Sequence, residues 1–145
     1  MGRILALDIG RKRCGVAVTD ILRIIPGGLG YQPTHLLPEW VKNYCGANDV
    51  DIIVVGYPKQ ADNSESESMQ FITPVVNRLR KLLPEMTIVP YDERYTSVLA
   101  QRAMIEGGMK KMARREKGVV DEISAVIILQ DFLESKVYRE NYQKL

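Results

Sequence analysis

The sequence predicts a mixed α/β sheet, antiparallel over its first three strands and parallel thereafter, with helices on both faces. Three observations lead there. Two short apolar runs, residues 4–9 and 14–19, are separated by only the four residues Gly10, Arg11, Lys12 and Arg13, a spacing that fits a hairpin. From Asp51 onward, strand-like runs alternate with stripes of helical period, the pattern of parallel strands joined by crossover helices. The chain has 145 residues, 46% hydrophobic and 26% charged, which fits one domain, residues 1–145, with an ordinary core.

The elements follow in order. Ile4, Leu5, Ala6 and Leu7 form a buried first strand that ends at Asp8, Ile9 and Gly10. Cys14-Gly15-Val16-Ala17-Val18-Thr19 is the second strand, and Ile24 and Ile25, before Gly27-Gly28, suggest a short third. Pro38 suits the first turn of a helix, and Trp40, Val41 and Tyr44 recur at helical spacing behind it. Residues 51–55, DIIVV, read as a fourth strand stopped by Gly56-Tyr57-Pro58. Residues 59–68 are polar and loop-like, with Ser64 and Glu67 at capping-box spacing. Ile72, Val75, Val76, Leu79, Leu82 and Leu83 then make a helical stripe in which Pro74 implies a late start or a kink. Residues 87–91 are a fifth strand. Thr96 or Ser97 can cap a helix that runs to Glu106 and stops at Gly107-Gly108. The last helix, residues 120–134, is apolar on most sides and should be buried, whereas the tail from Tyr138 is polar and expected to fray.

Composition narrows the chemistry. Cys14 and Cys45 form no CxxC pair, so they read as buried thiols rather than as a disulfide framework or zinc ribbon. His35 is the only histidine, in a loop-like Thr-His-Leu-Leu-Pro stretch, which disfavours histidine-rich metal sites and a Ser-His-Asp triad. No run reaches the roughly 18 apolar residues of a membrane span, and the N-terminus does not resemble a signal peptide, so the expected location is the cytoplasm. Net charge is only +2, but cations gather in Arg11-Lys12-Arg13 and again between Arg102 and Lys117, where Lys110, Lys111, Arg114 and Arg115 lie. Such runs are commonly solvated surface.

Acids stand at three places where apolar elements stop: Asp8 at the end of the first strand, the Asp92-Glu93 pair past the fifth, and Asp121 at the start of the last helix. Each has an ordinary structural reading, as a turn former, a surface ion-pair partner or a helix N-terminal acid. Their common placement at one sheet edge is what those readings leave unexplained. Carboxylates about 4–6 Å apart repel one another unless a cation shares the charge. Oxygen-only ligands select a hard ion, Mg²⁺ or Mn²⁺, and one or two such ions can hydrolyse a phosphodiester. The flanking cations would then hold backbone phosphates on either side of the reacting one. Tyr57, Tyr91 and Tyr95 are the aromatic groups near that edge that could stack on bases, although tyrosines there are more often packing residues.

Four stretches together resemble the YqgF/RuvX family, whose fold is ribonuclease H-like and related to the RuvC junction resolvases. They are Leu7-Asp8-Ile9-Gly10 with Gly15-Val16-Ala17-Val18; Val54-Val55-Gly56-Tyr57-Pro58; Asp92-Glu93-Arg94-Tyr95-Thr96-Ser97; and Lys117-Gly118 followed by Val120-Asp121 and residues 124–130. The resemblance spans nearly the whole chain. It implies that Asp8, Glu93 and Asp121 are the catalytic acids and the ligands of one or two Mg²⁺ or Mn²⁺ ions, and it selects Glu93 over Asp92. It also implies a metal-dependent endonuclease that trims the 5′ end of precursor 16S ribosomal RNA. The cations expected against nucleic acid, from their place beside the acids, are Arg11, Lys12, Arg13, Arg94, Lys110, Lys111, Arg114, Arg115 and Lys117. The implied partner is RNA ahead of branched DNA, within a ribosome precursor and away from any membrane, met as a monomer or a homodimer. One departure from the family pattern is the loop after Gly56-Tyr57-Pro58, where Lys59 to Ser64 lacks the usual Asp-Gly turn. The competing readings are a Holliday junction resolvase acting on branched DNA, and a module that binds RNA or the ribosome without cutting. An ATPase of the sugar-kinase type would need two such cores, and 145 residues hold one.

Overall fold

A computed structural model describes residues 2–57, 67–92 and 117–144 of the chain. Its sheet has five strands among the described residues: β1 (Arg3–Ile9), β2 (Arg13–Thr19), β3 (Pro26–Pro33), β4 (Val50–Tyr57) and β5 (Thr87–Asp92). The spatial order is β3-β2-β1-β4-β5. β1 pairs antiparallel with β2, β2 antiparallel with β3, and β1–β4 and β4–β5 are parallel, as the sequence predicts. The described helices are α1 (Leu37–Ala47), preceded by a 3-10 turn at Thr34–Leu36, then α2 (Met69–Leu82), α3 (Lys117–Glu134) and α4 (Lys136–Asn141). The helix expected over residues 96–106 lies outside the described residues.

Strand alternation sorts the core into two layers. Leu5, Leu7 and Ile9 of β1 face α1 and α2, where they meet Leu37, Val41, Ile72, Val76 and Leu79. Ile4 and Ala6 face the other way, onto Ala125, Ile128, Leu129 and Phe132 of α3. Being covered on both faces, β1 and β4 read in the sequence as unbroken apolar runs rather than as alternation. Each fully buried Leu or Ile contributes about 1.5–3 kcal/mol relative to exposure. The same alternation assigns Asp8, between Leu7 and Ile9, to the α3 face.

Some expectations need correction. The third strand does not contain Ile24 and Ile25, which are 66% and 67% exposed. The Asp20 carboxylate accepts the amides of Ile24 at 2.7 Å and Ile25 at 3.0 Å, which removes both donors from any ladder and holds the Asp20 carboxyl below its usual range. β3 therefore starts at Pro26, tolerated because the strand is an edge. Of the two readings of Pro74, the late start is excluded: it lies inside α2, on an exposed face, where its missing N–H cannot serve the carbonyl of exposed Gln70. Ser68, not Ser64, occupies the position before α2 and makes no side-chain cap; Ser64 lies outside the described residues.

The tail does not fray at Tyr138. The Ser135 hydroxyl accepts the Tyr138 amide at 3.1 Å and donates to the Phe132 carbonyl at 2.6 Å, which stops α3 and starts α4. Tyr138 is buried, its ring 5.2 Å from that of Phe132. Arg23 ties this end to the start of the sheet. Its guanidinium is buried and donates to the Gly2 carbonyl at 2.8 Å and to Asp51 Oδ2 at 3.0 Å.

Candidate active site

The turn after β1 is held from two sides. The Gly10 amide donates to the Arg13 carbonyl at 2.9 Å, and the Thr34 hydroxyl donates to the Gly10 carbonyl at 2.7 Å. The Thr34 amide also donates to the Lys12 carbonyl at 2.9 Å. Asp8 thus sits on a fixed strand end, half-buried, with Gly15 of β2 as its cross-strand partner.

Gly15 decides what lies beside Asp8. A Cβ built on Gly15 would fall 1.8 Å from the carbonyl oxygen of Asp121 and 2.8 Å from the Glu122 amide nitrogen. Only a glycine lets the first turns of α3 lie on β2 at this point. Asp121 is thereby brought against the residue that pairs with Asp8, on the same face of the sheet. Both carboxylates reach one buried reporter. The Cys14 thiol is pushed up to about 11, first by burial, with bonds from Thr34 and the Gly10 backbone opposing and the charges of Asp8 and Asp121 adding to the rise.

Glu122, the next residue, secures the far side. Its carboxylate accepts the amide of Gly30, and a Cβ at Gly28 would stand 2.7 Å from it. Gly30 has φ +82, a conformation that favours glycine. The glycines of β3 therefore admit the α3 side chain that clamps this helix to the edge strand. Gly15 and Glu122 were not singled out from the sequence. A glycine inside an apolar strand was the available signal for the first.

The cations of the β1–β2 turn diverge. Arg13 Nε donates to Asp121 Oδ2 at 3.3 Å. Arg11 and Lys12 are exposed, and Arg11 places its guanidinium carbon 5.5 Å from the centroid of Phe71 on α2, across the sheet from α3. Lys117 opens α3. Glu93, Arg94, Tyr95, Lys110, Lys111, Arg114, Arg115 and the loop from Lys59 to Ser64 lie outside the described residues. Among the described residues no three Asp, Glu, His or Cys side chains form a group able to hold a metal ion. The two expected acids that are described, Asp8 and Asp121, do come to one edge. Tyr91 is not a stacking platform: its ring packs edge-on to Phe132 at 5.6 Å within the α3 layer. Tyr57 packs partly buried against the other layer.

A family model described as RuvX, Holliday junction resolvase, matches residues 2–135. A protein of Phocaeicola vulgatus named as a candidate pre-16S rRNA nuclease is 55% identical over 138 residues, covering 95% of this chain and 99% of its own. One of the same name from Parabacteroides distasonis is 50% identical over 139 residues, covering 96% and 99%. Among solved structures, Thermus thermophilus RuvC in complex with a Holliday junction substrate superposes with a TM-score of 0.56 at 13% identity, covering 92% of this chain and 96% of that one. At that identity the likeness is one of fold, and it agrees with the ribonuclease H-like sheet expected from the sequence.

Proposed function

The chain belongs to the RuvX family, and from that premise we propose that it is a divalent-metal-dependent nuclease cutting phosphodiester bonds in precursor 16S ribosomal RNA, at the 5′ side. The observation that carries the reading is the contact of Gly15 with the Asp121 backbone, which brings the α3 acid to the strand end bearing Asp8. The 50–55% identical relatives named for pre-16S rRNA favour RNA over branched DNA as substrate.

The donors present fit a hard cation. Two carboxylates converge on a half-buried edge, and the nearest thiol is kept protonated by burial, which removes a soft ligand. Asp8, Asp121 and Glu93 would hold one or two Mg²⁺ or Mn²⁺ ions, which supply an activated water and charge stabilisation for the leaving oxygen. The residues of the chain do the rest. Gly15 and the Glu122–Gly30 clamp fix α3, so that Asp121 does not drift from Asp8. Arg13, within hydrogen-bond reach of Asp121, places a cation beside the carboxylates and lowers their repulsion of an incoming phosphate. Arg11 and Lys12 extend the positive charge beyond the turn.

The test offers a labelled 16S precursor fragment and a four-way DNA junction to the protein with Mg²⁺ or Mn²⁺, and repeats it with Asp8→Asn and Asp121→Asn. The expected result is metal-dependent cleavage of the RNA, lost in both variants. Equal cutting by wild type and Asp8→Asn, or junction cutting with intact RNA, would overturn the proposal.

A further inference from the structure

On the face of the sheet opposite α3, the β1–β2 turn, the 3-10 turn and α2 border an open cleft of about 660 Å³. Arg11, Lys12, His35, Gln70, Phe71 and Arg78 lie along it, and no carboxylate is among its described lining residues. Among the described residues, Glu39 pairs with this group, meeting Arg78 at 3.2 Å with both side chains more than half exposed. None of Phe71, Gln70, Arg78 or His35 has a part in the acid edge described above.

We propose that this cleft seats a nucleotide of a single-stranded RNA segment adjoining the cut, its base against Phe71 and Arg11 and its phosphates against Lys12 and Arg78. The inference rests on the nuclease reading for the identity of the ligand. The size is that of a small-molecule site, roughly 300–1,000 Å³. The exposed Arg11 guanidinium covers Phe71 at 5.5 Å, and an unpaired base that displaces it can stack on the ring with the guanidinium on its other side, which a base stacked inside a duplex cannot do. The cations among the described lining residues complement a phosphodiester, which can replace the exposed Glu39 carboxylate at Arg78.

Placement narrows the substrate further. Asp8 faces α3, which carries Asp121, whereas the cleft faces α1 and α2, and among the described residues the turn at residues 10–12 lies between them. Arg11 and Arg13, two residues apart, reach to opposite sides of it. A strand in contact with both sites must bend around this turn within a few nucleotides. Single-stranded RNA does so readily, while a duplex is stiff over far longer distances. The substrate is therefore RNA whose cut lies beside an unpaired stretch.

Binding is measured by fluorescence anisotropy with a labelled 12-nucleotide single-stranded RNA and with the same sequence as a duplex. The Asp8→Asn protein is used in chelator, over a range of salt. Phe71→Leu should weaken single-strand binding about tenfold and leave duplex binding unchanged. Lys12→Gln and Arg78→Gln, both at exposed positions, should each lower the salt slope by about 0.7. A 5-iodouracil strand should crosslink to the peptide containing Phe71. Wild-type affinity and slope in all three variants, or equal weakening of single strand and duplex, would overturn the inference. Wild-type protein that never cuts would instead count against the nuclease reading, because the binding readout does not depend on cleavage.

Discussion

Replacing Gly15 by alanine tests the packing on which the site depends. The added Cβ would lie 1.8 Å from the Asp121 carbonyl oxygen, against an ordinary contact of 3.4 Å or more. The difference, 3.4 − 1.8, requires α3 to withdraw from β2 by about 1.6 Å at its first turns. The obstructing atoms are backbone, so no rotamer change relieves them. Overpacking of this kind costs roughly 1–3 kcal/mol. For a domain of this size that lowers the melting temperature by roughly 3–10 °C. A catalytic group displaced by about 1 Å can lose about 10²-fold in rate. The assays are calorimetric melting and cleavage of a labelled precursor fragment under saturating Mg²⁺. Gly15→Ala should melt lower and, well below its melting temperature, cut at least about 10²-fold more slowly. A variant that melts and cuts as the wild type does would refute the argument that α3 is seated through this glycine.

Arg23→Met removes the buried guanidinium that joins Gly2, Asp51 and the α4 region, leaving Asp51 without its cation; the expected loss is about 3 kcal/mol in urea unfolding, with cleavage kept below the transition. The Cys14 thiol, raised from 9.0 to about 11 chiefly by burial, carries a stability contribution that is present below pH 9 and lost as pH rises through 11. Two pH units correspond to about 3 kcal/mol, so unfolding measured at pH 8 and pH 11 should show a smaller drop for Cys14→Ala than for wild type.

The sequence made the central sheet legible because its strands are covered on both faces and so appear as apolar runs too short for helices. The hairpin followed from the four residues between two of them, and the parallel half from the alternation that begins at Asp51. The third strand was misplaced because apolar content pointed to Ile24 and Ile25, whereas the Asp20 carboxylate had already claimed their amides. Its real residues, Pro26–Pro33, look like loop by propensity and become strand because they form an edge that must admit Glu122. Tyr138 looked like tail because a buried ring in a polar stretch has no period to announce it. Asp8 and Asp121 stood out as acids at the ends of apolar elements, and the fold brings them to one face. What no spacing rule supplies is the distance between β2 and α3, which is set by one missing side chain at Gly15. The divergence of Arg11 and Arg13 was equally hidden, since adjacent cations in a turn read as one charge group until the backbone assigns them sides.

Binding of Mn²⁺ by titration calorimetry, with no substrate present, bears on the shared acid edge independently of any cleavage. Wild type should bind the ion, and Asp8→Asn and Asp121→Asn should each weaken it by at least about tenfold. Undiminished Mn²⁺ affinity in either variant would contradict the claim that the two carboxylates serve one cation.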